Sequence, residues 1–351
     1  MGRFTTPKSE VTFAGIDFHK RFSVVALGDK DGTMAAKQQK LINDEQQIRE
    51  FFAPYAGIHC AVESCRGYEW FVDLLKSIGL QVTVCDPRRI KLIAETYTKT
   101  DKRDARVLME LVAKGFLPAC YQPTAEERAL REQLRWRVQL MKTSTRHKLS
   151  IHALLDKENK GCADPFTLKG RQYLEAVSLT ETRRALINKH LKVIDFIQEQ
   201  LDVEFRWISQ EVKNRAAAQL LLTIPGIGAI SAMMILAELG DVTRFRKAEQ
   251  VAAYLGLVPS ENSSGDKRRL GGITKQGSKL LRWLLIQDAW QAIRVDPGLE
   301  LRFKKVCARK GKQVAIVAVA RKLSEIAFCV LRDQKPYDAK RLAAGSARVA
   351  S

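Results

Sequence analysis

The hydrophobic and polar positions of the first third of the chain predict three strands in succession. Short apolar or alternating stretches are separated by turn residues, and they cover Val11–Phe18, Phe22–Leu27 and Thr33–Leu41. Alternation between tight turns is typical of antiparallel strands. Asn43, with Gln46 three residues later, resembles a capping box and predicts a helix that runs through Phe52.

Helices and strands alternate after this point. The pattern predicts strands at His59–Glu63 and Gln81–Cys85, with the helix Tyr68–Ile78 between them and another helix from Arg88. Three antiparallel strands followed by alternating helices and strands are the order of a ribonuclease-H-like (RuvC-like) α/β domain. We therefore predict such a domain over residues 1–122.

From about Pro123 the composition shifts to helix formers. Ala125–Asp156 is dense in Arg, Lys, Gln and Leu, and apolar residues recur at spacings of three and four from Ile187 to Ile208. This spacing predicts a long amphipathic helix, either a coiled-coil arm or part of an intramolecular helical hairpin. Residues 123–215 are therefore predicted to form a basic helical or coiled-coil region.

The next stretch, Ala216–Ala237, carries no charge and is long enough to cross a bilayer. Its centre contains Pro225, Gly226 and Gly228, which would break a spanning helix, so we predict two short helices and no membrane segment. A helix-hairpin-helix of this kind can present the backbone N–H groups of Gly226 and Gly228 to a phosphate. A plain tight turn is the alternative. We place a mainly helical domain at residues 216–335 and a flexible tail at 336–351.

The charge balance points to a polyanionic partner. The chain has 59 Lys and Arg against 39 Asp and Glu, a net charge of +20, and so large a surplus favours nucleic acid. Seven scattered cysteines and a polar N-terminus without an apolar core predict reduced thiols and a cytoplasmic location.

Four carboxylates are candidate metal ligands. Asp17 closes the first predicted strand and Glu63 the fourth, so both emerge at one sheet edge if those strands are parallel neighbours. Asp101 and Asp104 are three residues apart at a helix start and share a face. Oxygen ligands of this kind suit Mg²⁺, and one or two such ions can polarise a phosphodiester. Taken singly, each acid could equally be a helix cap or a solvated charge.

The segment Gly256–Arg282 combines hydroxyls, glycines and cations. Its polar candidates are Ser263, Ser264, Lys267, Arg268, Arg269 and Lys275. Glycine flexibility, backbone N–H groups and concentrated positive charge are typical of loops that handle phosphate. A solvated basic loop is the alternative reading of the same residues.

Three motifs in the first domain carry a resemblance to a known family. GIDFHK, AVESCRGYEW and KTDKRDA resemble the DEDD motifs of the RuvC-like domain in insertion-sequence transposases of the one-ten (IS110) family, which are recombinases guided by a bridge RNA. The resemblance extends over about Val11–Leu331. It implies that Asp17, Glu63, Asp101 and Asp104 are the metal-binding, catalytic acids.

The same resemblance makes residues 216–335 a transposase domain with a catalytic serine. The family's nucleophile lies in a Ser-Gly step after a Gly-Leu-x-Pro segment, which here are Ser264-Gly265 and Gly256–Pro259. Ser263 and Ser260 are nearby alternatives. Because Ser264 and the acids fall in different predicted domains, these domains have to meet, within one subunit or between subunits.

The resemblance implies an RNA-guided DNA recombinase or transposase that cuts and rejoins strands through Ser264 with help from Mg²⁺. Its expected partners are double-stranded donor and target DNA, a structured non-coding guide RNA and further copies of the chain in a dimer or tetramer. Two alternatives remain open at this point. One is a metal-dependent DNA nuclease or Holliday-junction resolvase without a covalent intermediate, and the other is a non-enzymatic nucleic-acid-binding protein.

Overall fold

The computed structural model describes residues 10–93, 101–261 and 269–339. The chain divides into two compact units, residues 1–122 and 123–351, each with hydrophobic clusters of its own. Ser263, Ser264, Lys267 and Arg268 lie outside the described residues, as does the predicted tail from residue 340 onwards.

The first unit is built on a mixed five-stranded sheet. Its strands are β1 (Phe13–Phe18), β2 (Phe22–Gly28), β3 (Gln39–Ile42), β4 (His59–Glu63) and β5 (Gln81–Cys85). The order across the sheet is β3-β2-β1-β4-β5, with β1, β4 and β5 parallel and β2 antiparallel to both neighbours. The helices are α1 (Glu45–Phe52), α2 (Tyr68–Ser77), α3 (Pro87–Ile93) and α4 (Asp101–Ala113). The prediction of a mixed α/β unit is confirmed.

The predicted third strand is shorter in the structure. Of the predicted residues Thr33–Leu41, the last three pair with β2 as the start of β3, and Met34 forms an isolated bridge with Gly28. The carboxylate of Asp29 accepts hydrogen bonds from the backbone amides of Asp31 and Thr33, both at 2.9 Å. These local bonds hold a turn after β2, because an aspartate side chain competes with strand pairing for nearby amides.

The predicted capping box at Asn43 is wrong. The N-cap of α1 is Asp44, whose carboxylate accepts from the amide of Gln47 at 3.0 Å. Asn43 instead donates to the backbone carbonyl of His19 at 2.5 Å and accepts from the Ser23 hydroxyl at 2.7 Å. Its side chain therefore fixes the turn between β1 and β2, a long-range role that short sequence motifs do not reveal.

Helix α4 packs directly on the backbone of β1. A Cβ atom at Gly15 would lie 2.0 Å from the carbonyl oxygen of Ala105 and 2.3 Å from the amide nitrogen of Met109. One turn further along α4, the Met109 sulfur lies against Gly28, which pairs with the first residue of β1. Helix α4 therefore runs antiparallel to β1, and its N-terminus lies at the carboxyl end of that strand.

The second unit is mainly helical. Its helices are α5 (Ala125–Asp156), α6 (Leu168–Ala176), α7 (Glu181–Asn214), α8 (Ala216–Leu222), α9 (Ala229–Leu239), α10 (Ala248–Tyr254), α11 (Lys279–Val295), α12 (Pro297–Lys310) and α13 (Lys312–Asp333). A two-stranded sheet joins β6 (Pro259–Glu261) to β7 (Leu270–Ile273). The predicted long amphipathic helix is α7, and it packs along α5 as an intramolecular hairpin.

One core joins the base of this hairpin to the helices that follow it. Leu130 and Leu134 of α5 and Ile208 and Val212 of α7 are buried with residues of α8 to α13. Residues 123–215 and 216–335 thus belong to one compact unit. The far end of the hairpin has a small cluster of its own, formed by Ile151, Leu155, Leu174, Ile187 and Ile194.

The charge-free stretch forms α8 and α9 around a short turn, as the Pro and Gly residues at its centre predict. In the parts of the chain that the structure describes, no helix is both long enough and apolar enough to cross a membrane.

Gly15→Ala tests the close packing of α4. The added methyl group would overlap backbone atoms of α4, so we expect the free energy of unfolding to fall by about 1–3 kcal/mol or more. Gly272→Ala is the control, because no atom lies within 4 Å of its Cβ position, and its effect should stay within about 0.5 kcal/mol. Urea unfolding followed by circular dichroism measures both, and equal stabilities would contradict the packing argument.

Candidate metal and nucleic-acid sites

Asp17 and Glu63 lie at the carboxyl ends of neighbouring parallel strands. The register between β1 and β4 runs from Phe13 opposite His59 to Ile16 opposite Val62, so the next residues are the two acids. Asp17 is only 6% exposed, and Glu63 is half-buried. The parallel pairing that the sequence argument required is therefore present, and both acids lie at one edge of the sheet.

His19 is a site residue that the sequence analysis missed. Its Nε2 lies 3.1 Å from Oδ2 of Asp17. Its backbone carbonyl accepts a hydrogen bond from the Asn43 side chain, and its backbone amide donates one to the carbonyl of Phe22. When the imidazole is protonated, this contact becomes an ion pair. The only sequence signal was a histidine two residues after the strand-ending aspartate.

The pKa of the Cys65 thiol is affected by the charges at this edge. Burial raises its pKa, and the charges of Glu63, Asp17 and Glu69 raise it further, to about 11. The thiol also donates to the carbonyl of Phe18 at 3.5 Å. Several carboxylates therefore act on one point, and the edge has a negative potential.

Asp104 belongs to the same end of the unit. It precedes Ala105, which packs against Gly15 two residues before Asp17. Asp101 begins α4, but its side chain lies outside the described part of the chain.

Within the described residues, no three His, Cys, Asp or Glu side chains are close enough to form a metal site. The donor set still fits a hard divalent cation in chemistry, because all four predicted ligands are carboxylates.

The predicted serine loop is flanked by a short hairpin. Residues 262–268 lie outside the described residues, and on either side of them Glu261 of β6 pairs with Leu270 of β7. The candidates Arg269 and Lys275, which the structure does describe, are both exposed. Their exposure leaves these cations accessible to a phosphate.

A buried arginine holds the base of this hairpin. Arg282 is 8% exposed, and its Nη1 donates to the backbone carbonyls of Leu255, Gln276 and Gly277. Burial lowers the pKa of this guanidinium, and the three carbonyls offset part of the cost of burying its charge.

Two glycines let the backbones meet at the same point. A Cβ at Gly277 would lie 2.2 Å from the carbonyl oxygen of Tyr254, and one at Gly256 would lie 2.3 Å from the amide nitrogen of Gln276. Both have positive φ angles of 65° and 67°. The base of the loop is therefore fixed against the end of α10. A basic glycine loop without defined structure would have no such contact.

The two glycines of the α8–α9 turn have different surroundings. A Cβ at Gly226 would lie 2.3 Å from the backbone carbonyl oxygen of Asp288 and 2.8 Å from the amide nitrogen of Ala292, both in α11. Gly228, the N-cap of α9, has no atom within 4 Å of its Cβ position. Close packing against α11 therefore accounts for the glycine at position 226. Gly228 has open space around it, through which a ligand could approach.

Asp288 is a buried acid beside this turn. Its Oδ1 accepts from the Ser231 hydroxyl at 2.8 Å, whereas Oδ2 has no hydrogen-bond partner among the described residues. Burial raises the pKa of this carboxyl to about 7, and the bond from Ser231 opposes the shift. Near neutral pH a large fraction of Asp288 is therefore protonated.

Comparison with known proteins agrees with this arrangement. A family model described as a transposase, the DEDD type of IS110 elements, matches residues 14–159. A second model, the transposase IS116/IS110/IS902 family, matches residues 218–304. The match of the first model supports use of a divalent metal by the N-terminal unit.

Three relatives align with most of the chain. A probable family 20 transposase of Pseudomonas aeruginosa is 28% identical over 92% of this chain and 97% of its own length. The transposase of insertion sequence element IS1111A of Coxiella burnetii is 27% identical, over 80% of this chain and 79% of its own. A pilin gene-inverting protein of Moraxella bovis is 28% identical over 93% and 98%.

These matches identify the chain as an enzyme that transposes or recombines DNA. Both models describe transposases of the IS110/IS116 group and match residues 14–159 and 218–304 in order, so the chain is similar to these transposases in both of its units. The non-enzymatic alternative is therefore wrong.

Asp288→Asn tests the buried acid. The native state keeps a proton that the unfolded chain releases between pH 4 and 7, so the free energy of unfolding should fall as pH rises through this window. Asn cannot ionise, so the free energy of unfolding of the variant should decline by on the order of 2–4 kcal/mol less than that of the parent. Urea unfolding at pH 4.5 and 8 measures the difference.

Asp296→Asn is the contrasting control. The Asp296 oxygens accept from the Leu299 amide at 2.8 Å and the Tyr337 hydroxyl at 2.7 Å, so this variant should lose stability at pH 8. If Asp288→Asn shows the same pH dependence as the parent, the buried acid does not titrate as described.

Proposed function

We propose that this protein is an RNA-guided DNA recombinase that cuts and rejoins strands through Ser264, assisted by Mg²⁺ held by four acids. The observation that carries the proposal is the parallel pairing of β1 and β4, which brings Asp17 and Glu63 to one edge. The packing of α4 adds Asp104 at the same end of the unit. This arrangement supports a phosphodiester-processing centre of the RuvC-like type.

Asp17, Glu63, Asp101 and Asp104 would hold the ion. When bound there, a divalent cation would stabilise the negative charge that develops on a phosphodiester as it is attacked. Glu63 and Asp104 supply oxygen donors, and the buried Asp17 is oriented by His19 at 3.1 Å. Orientation by a second residue is what keeps a carboxylate ligand in a single geometry.

In the proposed step, Ser264 Oγ attacks the phosphorus of one DNA strand. The new P–Oγ bond forms as one bond between phosphorus and a deoxyribose oxygen breaks, the serine proton passes to a base, and the leaving oxygen takes up a proton. Attack by a hydroxyl of another DNA strand then reverses the step and releases Ser264. Because one phosphoester replaces another each time, the exchange needs no external energy source.

The cations around the loop would bind the phosphate. Lys267, Arg268 and Arg269 follow Ser264 closely, and Lys275 is exposed on the far side of β7. Lysine and arginine side chains stabilise the extra negative charge of a phosphorane-like transition state. The exposed Gly228 turn at the start of α9 would contact a DNA phosphate through backbone N–H groups.

The partners we propose are double-stranded donor and target DNA and a structured guide RNA. The net charge of +20 supports a protein that binds more nucleic acid than one short duplex. Base pairing by an RNA would supply the sequence choice and leave the protein to recognise the backbone. Moving a DNA segment requires several cuts to be held together, so we propose a homodimer or homotetramer acting in the cytoplasm.

Ser264→Ala tests the nucleophile. The variant should yield no covalent protein–DNA species and should lose recombination by a factor of about 10³ or more, while still binding DNA. Ser263→Ala is the matched control and should keep most of the activity. Denaturing gels of labelled DNA trapped with protein measure the adduct. Strand cleavage that persists in Ser264→Ala, with no adduct in the parent, would identify a nuclease instead.

Asp17→Asn and Asp104→Asn test the metal site without relying on activity. Mg²⁺ should raise the melting temperature of the parent, because a ligand present at 100 times its Kd stabilises the native state by about 2.7 kcal/mol. Both variants should lose this rise and should be no less stable in EDTA, since like charges have been removed. Asp31→Asn is the control, as it lies in the loop after β2, beyond the opposite end of β1. A rise that is the same in all variants would place the ion elsewhere.

A further inference from the structure

A groove in the second unit lies between α12 and α13, and its lining residues are not among those proposed above for catalysis. Its volume is about 740 Å³. Side chains of both helices line it together with the start of α10 and the segment Lys335–Asp338. Val306, Ile326 and Val330 give it an apolar surface that is half-buried or buried.

One wall of the groove carries a row of cations. Arg302, Lys305 and Arg309 are exposed and are spaced by three and four residues, so they share one face of α12. In the described part of the chain no carboxylate pairs with any of the three. The nearby pair of Lys304 and Glu300 has its two charges at 2.6 Å and neutralises itself.

The opposite wall carries basic and acidic side chains in equal number. Glu325 of α13 is held between Arg321 at 3.0 Å and Lys322 at 3.6 Å, so one carboxylate faces two cations. The lining as a whole has six basic and four acidic side chains: Arg302, Lys305, Arg309, Arg321, Lys322 and Lys335 against Glu249, Glu325, Asp333 and Asp338. The excess of cations is concentrated on the α12 wall, where a polyanion would meet the least repulsion.

The row of cations matches a short stretch of one nucleic-acid backbone. Seven residues of helix span about 10.5 Å, so Arg302, Lys305 and Arg309 lie along a single line of that length. A positively charged groove of this kind, with an aromatic side chain beside it, is typical of proteins that bind single-stranded nucleic acid.

One end of the groove is tied to the α8–α9 turn. Tyr337 donates its hydroxyl to Asp296 at 2.7 Å and its backbone amide to the Thr223 hydroxyl at 2.8 Å. Thr223 is the C-cap of α8 and opens the turn that contains Gly228. The groove is therefore connected directly to the turn, and Tyr337 adds an aromatic ring of the kind on which bases stack.

We propose that the α12–α13 groove binds the backbone of one separated DNA strand. Arg302, Lys305 and Arg309 contact successive phosphates, and Tyr337 stacks on a base. Any exchange of strands passes through DNA that has left its complement, and such a strand needs a binding place. The proposal takes DNA as the ligand from the transposases that the chain resembles and does not depend on Ser264, so we test it in the Ser264→Ala background.

The first test is the triple variant R302Q/K305Q/R309Q with a labelled 20-nucleotide oligothymidylate. We expect the Kd at low salt to rise by about 10- to 100-fold, and the slope of log K against log salt to become shallower by about 2, or roughly 0.7 for each lost phosphate contact. The control is K189Q/K192Q/R206Q, which removes three exposed cations from α7. For a duplex of the same length, the groove variant should lose no more affinity than the control variant.

A variant of opposite sign separates binding from folding. Glu325→Gln removes the carboxylate between Arg321 and Lys322, so affinity for the oligothymidylate should rise about two- to fivefold. Unfolding cannot produce such a gain. The proposal is overturned if the groove triple loses no more affinity than the α7 triple, or if Glu325→Gln binds more weakly. A loss seen with oligouridylate and not with oligothymidylate would assign the groove to RNA and overturn the DNA assignment.

Discussion

The contact between the backbones of β1 and α4 at Gly15 is the constraint on which the acidic edge depends. With no side chain at Gly15, the helix approaches until Ala105 and Met109 touch the strand itself. Gly28 and Gly32 leave room for side chains of α4, those of Met109 and Ala113. Together these contacts fix how far α4 lies from the sheet, which sets the position of Asp104 relative to the strand ends.

The second unit uses the same principle for its loop. An isolated two-stranded ribbon is marginally stable in water, so β6 and β7 alone could not hold Glu261 and Leu270 in fixed positions at the base of the loop. Gly256 and Gly277 allow backbone-to-backbone contact, and Arg282 locks that contact with three hydrogen bonds. A buried cation is costly when unpaired, so any movement that separates Arg282 from these carbonyls is opposed by the cost of leaving its charge unpaired.

Much of the fold follows from local patterns, and the exceptions have a common cause. The long helices and most strands of the first sheet could be predicted because alternation and helical spacing act over a few residues. Asn43 could not, since its partners are 20 and 24 residues away. Gly226 and the cations of α12 show the same limit of local patterns. The sequence around a turn glycine does not show whether it packs on a helix, and the sequence of a basic helix face does not show whether it lines a groove or faces solvent. The roles of the site residues remain predictions.

The acidic edge has a further consequence in a chain with a net charge of +20. A phosphodiester is attracted to the protein as a whole but is repelled at the point where Asp17, Glu63 and Asp104 lie, because carboxylates and phosphates carry charge of the same sign. A protonated His19 can offset at most one of these charges, through its contact with Oδ2 of Asp17. If this edge is the phosphodiester site proposed above, it would accept a DNA phosphate only once a positive charge greater than that of one imidazolium is present. A divalent ion would meet that requirement, and this agrees with the orienting role proposed for His19 at Asp17.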